Sequence, residues 1–161
     1  MAHGSPPHGY AAILKYFGDP KPIAGKVSDR WEEGNMVLIR DADMFPAGKL
    51  YVHRKIVEPL KAALRKSAEI GWRPTTIGCF APRQKRGVAE LSLHTFGAAV
   101  DIDAETNPLL LDCPPGDPRR QTNKTISDAV IDVWRAEGWM WGGDFSGRRF
   151  DPMHFQWATG Y

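Results

Sequence analysis

The chain has 161 residues, with 21 lysines and arginines against 19 aspartates and glutamates, a formal charge of +2 when histidine is neutral. Its 42% apolar and 25% charged content is that of a folded domain, which excludes global disorder and a fibrous repeat. A chain this long buries roughly 70% of its unfolded surface, so a single core suffices. That core is expected over residues 10–161, after a loose tail at 1–9. No window approaches the roughly 20 apolar residues of a membrane span, which argues against membrane insertion. The start MAHGSPPHGY also lacks the apolar centre of a signal peptide. Cys79 and Cys113 are too few for a disulfide scaffold, although one bridge remains open.

In chain order, YAAILKYF predicts a helix over Tyr10–Phe17, stopped by Gly18, Asp19 and Pro20. MVLIR, Met36–Arg40, is an apolar run of strand length. Between Val52 and Ile70, Val57, Leu60, Leu64 and Ala68 recur near a 3.6-residue period, which predicts the main core helix, with Pro59 in its first turn or bending it. Strands are expected at Pro74–Phe80 and Ala98–Asp103, separated by the cationic turn PRQKRG. In the second of these, alternation puts Ala99, Asp101 and Asp103 on one face. Ala104–Asn123 is too rich in proline and glycine for a regular element, and a loop this long can border a binding cleft. A further helix is expected over Lys124–Glu137, with Ile126, Ala129, Val130, Val133 and Trp134 as its apolar stripe. Short strands at Trp139–Trp141 and Met153–Trp157 flank the turn-rich GGDFSGRRFDP. Helices and strands are interspersed rather than regularly alternating, so the fold class is α+β.

Two segments concentrate the groups that do chemistry. In LSLHTFGAAVDID, His94 precedes Asp101 by seven residues, with Gly97 and two alanines letting a turn enter a strand closely. In FDPMHFQW, Asp151 precedes His154 by three, and His154 and Gln156 share a strand face. Two imidazoles and a carboxylate match an open catalytic zinc site, whereas a closed structural site normally takes four protein ligands. His94, Asp101 and His154 are thus the candidate ligands of a Zn2+ ion, with Asp151 left to accept a proton from water. Spacing alone leaves open a polar turn with hydrogen-bonded histidines and a solvated aspartate.

The ordered series CFAPRQKRGVAELSLHTFGAAVDIDAETN, EGWMWGGDF and DPMHF resembles the VanY-like zinc peptidases, a family of D-alanyl-D-alanine carboxypeptidases and phage-endolysin L-alanyl-D-glutamate endopeptidases. The endopeptidase-type branch is the more similar, and the resemblance runs over roughly Met36 to Trp157. It implies a small antiparallel sheet packed with helices, as in hedgehog-like and D,D-peptidase zinc domains. It also implies His94, Asp101 and His154 as metal ligands, Asp151 as general base and Arg83 facing the scissile carbonyl or a substrate carboxylate. Ser92 matches the serine beside the first ligand. Two positions depart from the pattern. Gln156 stands where glutamate is common, removing a negative charge near the metal, and Asp103 replaces a frequent asparagine and can restore part of that charge. The implied activity is hydrolysis of the L-alanyl-D-glutamate bond of the bacterial peptidoglycan stem peptide, with zinc-bound water activated by Asp151. The alternatives are a D-alanyl-D-alanine carboxypeptidase or dipeptidase, and a non-catalytic wall-binding protein.

Other residues carry weaker signals. Trp141, with Trp139, reads either as core packing or as a cleft wall for substrate. Trp31, Trp72 and Trp134 read as structural, His53 as a partly buried histidine rather than a fourth ligand, and His3 and His8 as incidental to the tail. PRQKRG and the pair Arg119 and Arg120 lack the aromatic interleaving and charge of a nucleic-acid surface. Arg148 and Arg149 near the proposed site read equally as a solvated turn or as cations that help attract an anionic wall polymer. A monomer is expected, made in the cytoplasm and acting on the wall after release, as a phage lysin does.

Overall fold

The structure, a computed structural model, describes residues 3–85 and 89–161, so Arg86 and Gly87 of the cationic turn lie outside the described residues. It is a mixed α+β arrangement with two antiparallel sheets, one of two strands and one of four. Helix α1, Tyr10–Phe17, forms where expected and turns Ile13 and Phe17 inward. Helix α2, Asp29–Asn35, was not legible in the sequence, because DRWEEGN buries only Trp31 and has no apolar stripe. Strand β1, Met36–Arg40, pairs with β2, Lys49–His53.

The expected helix from Val52 divides into three parts. Val52 and His53 belong to β2, Arg54–Ile56 forms a 3-10 turn, and α3 runs over Val57–Glu69 with Pro59 in its first turn. The break comes from His53, whose Nδ1 accepts a hydrogen bond from the Lys55 amide at 3.1 Å and caps the turn.

The four-stranded sheet has the order β3-β4-β6-β5: Ile77–Gly78, Ala99–Ile102, His154–Gln156 and Met140–Trp141. Each strand is shorter than the sequence predicts. Asp103 leaves β4 with a φ of 47°, so it does not share the Asp101 face. Helix α4, Arg119–Thr122, is a single turn within the long loop, and α5 spans Asp128–Ala136. α5 begins later than Lys124 because the Thr125 and Ile126 amides are taken by Asn107 Oδ1 at 2.8 and 3.1 Å. Ser127 then caps the helix through the Val130 amide.

The buried apolar side chains form one continuous cluster, with Trp134, Trp157, Phe96 and Phe155 among its largest members. α5 packs on α3, where the indole of Trp134 donates to Ser67 Oγ at 3.1 Å. Cys79 and Cys113 are buried and free, so the bridge left open by the sequence does not form. Pro7–Gly9 are not a loose tail: the Gly9 amide donates to the Thr159 carbonyl, and the Thr159 amide to that of Pro7, seating this segment beside the C-terminal residues. Among the described residues no helix is long and apolar enough to cross a membrane.

Candidate metal centre and cleft

The two central strands of the larger sheet bring two of the predicted ligands side by side, since Asp101 of β4 and His154 of β6 are register partners. His94 comes from a 3-10 turn, Leu93–Phe96, whose N-cap Ser92 accepts from the His94 amide. The turn closes on Gly97 at a φ of 61°. A Cβ there would lie 2.9 Å from the His53 amide nitrogen, so only glycine lets the turn pack this closely on β2. Ser92 thus holds the His94 turn and also lines the cleft.

His94 Nε2, His154 Nδ1 and Asp101 Oδ1 face one another in a nearly equilateral triangle. Its sides are 3.2 Å between the two imidazoles, 3.2 Å from His94 to Asp101 and 3.1 Å from His154 to Asp101. Ligands about 2.0–2.1 Å from a tetrahedral zinc ion stand about 3.3 Å apart, so this is close to one face of such a tetrahedron.

The hydrogen bonds around the triangle fix which ring nitrogens carry lone pairs. His94 Nδ1 lies 2.6 Å from the Cys79 carbonyl, an acceptor only, so Nδ1 is the protonated nitrogen. The Gln156 amide donates from Nε2 to the Ala158 carbonyl at 3.2 Å, which turns its Oε1 toward His154 Nε2 at 3.0 Å and makes that nitrogen the donor. Two lone pairs and a carboxylate oxygen then converge with no donor between them. Such a donor set fits a divalent cation, which satisfies all three at once.

Burial raises the Asp101 carboxyl pKa, but with the rings protonated and no ion between them, hydrogen bonds from His154 and His94 and their positive charge outweigh it and hold it below the usual range. His53 lies elsewhere and does not join the cluster. It is fully buried, donates from Nε2 to the Phe17 carbonyl at 3.2 Å, and has its pKa pushed down to about 4 mainly by burial.

The triangle lies in a cleft of about 670 Å³ that Arg83, Ser92, Asp151 and Gln156 also line. Asp151 is buried, with Oδ2 accepting from Arg149 Nη2 at 3.1 Å and Oδ1 lacking a partner among the described residues. Its backbone carbonyl accepts from the His154 amide, so the Asp-x-x-His spacing is a turn that sets carboxylate and imidazole beside the same cleft. Arg83 is exposed at the rim, but its backbone is tied to the ligand turn through Thr95 Oγ1 and the Ser92 amide.

Two expected site residues lie elsewhere. Asp103 Oδ1 accepts from the amides of Thr75 and Thr76 at 2.8 and 2.7 Å, bracing the entry to β3 rather than adding charge at the metal. Trp141 is buried, donates to the Pro152 carbonyl at 2.9 Å and packs edge-on to Phe150, so it is core rather than cleft wall. Phe145, which no sequence signal marks, supplies an aromatic wall, its ring centroid 5.6 Å from that of His154.

Fold and site together define a small α+β domain with an open two-histidine, one-aspartate cluster. Residues 86–157 match a family model described as D-alanyl-D-alanine carboxypeptidase. That stretch contains the three clustered residues and Asp151, and begins after Arg83. No curated protein and no solved structure matches the chain.

Proposed function

We propose that the protein is a zinc-dependent peptidoglycan peptidase that hydrolyses an amide bond of the stem peptide, with L-alanyl-D-glutamate as the favoured bond. The observation that carries this reading is the convergence of three acceptor atoms at 3.1–3.2 Å beside a buried carboxylate with one oxygen unpartnered among the described residues. The preference for the endopeptidase bond rests on the resemblance of the motifs. The family match favours a second reading, release of the terminal D-alanine.

A zinc ion held by His94, Asp101 and His154 would supply Lewis acidity, acidifying water and polarising the scissile carbonyl. Asp151 accepts the proton of the attacking water on Oδ1 while Arg149 holds Oδ2, then returns it to the departing amine. Arg83 at the rim is available to stabilise charge developing on the carbonyl oxygen. Gln156 holds His154 with Nδ1 turned toward the cleft.

Digestion of purified peptidoglycan with and without chelator, followed by mass analysis, tests the reading. A chelator-sensitive product with a new amine on glutamate supports the endopeptidase, and free D-alanine alone supports the carboxypeptidase. Absence of any chelator-sensitive product would refute both. Asp151→Asn is expected to keep bound zinc and lose about 10²–10⁴-fold in kcat, the usual range for a general base. An active Asp151→Asn enzyme would reassign the base.

A further inference from the structure

Arg83 and Arg149 reach the cleft from opposite edges of the four-stranded sheet. The segment carrying Arg83 leaves edge strand β3 after Gly78, the register partner of Asp101. The segment carrying Arg149 leaves the other edge strand, β5, after Trp141, the partner of Phe155 beside His154. A third cation lining the cleft, Lys85, is engaged by Glu90 at 3.3 Å and lies over the Tyr161 ring.

Arg149 is held in place but not used up. Nη2 donates to Asp151 Oδ2 at 3.1 Å, and the guanidinium lies 5.8 Å from the centroid of the Phe145 ring. Its carbonyl accepts from Arg120 at 3.4 Å, and the next residue, Phe150, exchanges backbone hydrogen bonds with Leu110. Nε, however, is buried with no partner among the described residues, as is Asp151 Oδ1. The Arg149 side chain is nevertheless 38% exposed and lines the cleft, so part of the guanidinium faces the space beside the carboxylate that would hand its proton to the leaving amine. On that amine's own α-carbon, a carboxylate oxygen lies within about 3.5 Å of the nitrogen by covalent geometry alone. A group bonded there is brought to Arg149 whenever the nitrogen is brought to Asp151.

We propose that Arg149 is a specificity-determining residue that binds a free carboxylate on the α-carbon of the leaving amine, so that the cleft selects peptides releasing an amino acid with an unblocked α-carboxylate. The inference rests on the peptidase reading above. It covers both of that reading's bonds by one chemistry, because a glutamate joined onward through its side chain and a terminal alanine each present this carboxylate. Ordinary α-linked polypeptides tie the same carboxyl up as an amide at internal positions, so the cleft would spare them.

The test is kcat/KM of the zinc-loaded enzyme on two pairs of synthetic peptides. One pair is L-alanyl-D-glutamyl-L-lysine, linked through the glutamate side chain, and its α-amide. The other is a peptide ending in D-alanyl-D-alanine and its C-terminal amide. The acid is expected to exceed the amide at least tenfold in the pair that is cut, which also identifies the bond. Arg149→Gln should bring that ratio close to one with bound zinc unchanged, Arg149→Lys should keep part of it, and Arg83→Gln should slow both members alike. A role for Arg149 confined to positioning Asp151 would slow acid and amide equally and keep the ratio, and that result overturns the proposal. A wild-type ratio near one overturns it while leaving the peptidase reading intact. Failure of the wild type to cut any of the four removes both.

Discussion

Gln156 shows how a glutamine can orient a candidate metal ligand. A glutamine must present the right end, and donation to the Ala158 carbonyl orients it with Oε1 toward His154. Removing that acceptor in Gln156→Ala should weaken zinc binding by about 10–100-fold, the usual effect of losing a partner behind a ligand, measurable by competition with a chromogenic chelator. Unchanged affinity would mean that β6 alone sets the ring. His94→Ala and His154→Ala should lose the ion altogether, because two protein ligands remain, and metal analysis of the purified variants checks this. At this scale the cluster of His94, Asp101 and His154 was legible in the sequence, since short spacings such as Asp-x-x-His translate directly into one turn. Asp103 and Trp141 were not. Alternation along a strand predicts a shared face only while the strand lasts, and Asp103 is already past its end. Whether a tryptophan faces core or cleft depends on what covers it, here Phe150 and the Pro152 carbonyl, neither adjacent in the chain.

The elements around the centre are short, and contacts distant in sequence fix them. Helix α1 was readable from its helix formers and stop signal and α3 from periodicity, whereas α2 and β2 were not, because neither has a pattern independent of its partner: Lys49–His53 is a strand only opposite Met36–Arg40. The loop bearing Phe145 and Arg149 is tied to the long loop by Arg120. That guanidinium donates to the Cys113 carbonyl, and to those of Gly143, Gly147 and Arg149 at 3.2–3.4 Å. In the sequence Arg120 reads only as a weak nucleic-acid signal, since charge alone does not reveal which carbonyls will surround it. Gly142 is the hinge where this loop leaves β5. A Cβ there would overlap the Asp151 carbonyl oxygen and lie 2.9 Å from His154 Cβ. Gly142→Ala should therefore displace base and ligand together, lowering both zinc affinity and kcat by at least about tenfold, an effect of 1.4 kcal/mol or more. Zinc titration alongside turnover would detect it, and wild-type values for both would show that the loop yields without disturbing the centre.

For the molecule as a whole, His53 gives the stability a defined pH dependence. Its neutral ring joins β2, the Lys55 amide and the Phe17 carbonyl at the centre of the fold, and protonating Nδ1 would set it against the Lys55 N–H. Folded, it titrates near 4 rather than its ordinary 6.5. Above about pH 6.5 both folded and unfolded chains are neutral here and the contribution is complete. As pH falls from 6.5 toward 4 the unfolded chain takes up the proton first, so stability declines, by order 3 kcal/mol in all, and the decline ends below 4. Urea unfolding across this range should show a shallower pH slope for His53→Gln than for wild type, and parallel slopes would place the dependence elsewhere. The triangle has its own consequence at this scale. Asp101 and His154 stand 53 positions apart along the chain, so an ion seated there would fasten separate parts of the backbone as a cross-link does. The unfolded chain offers no such convergence, and occupancy would add to stability in proportion to the logarithm of free metal. Chelation should then lower the melting temperature as well as remove activity, so the fastener that performs the chemistry would also decide how long the enzyme survives where zinc is scarce.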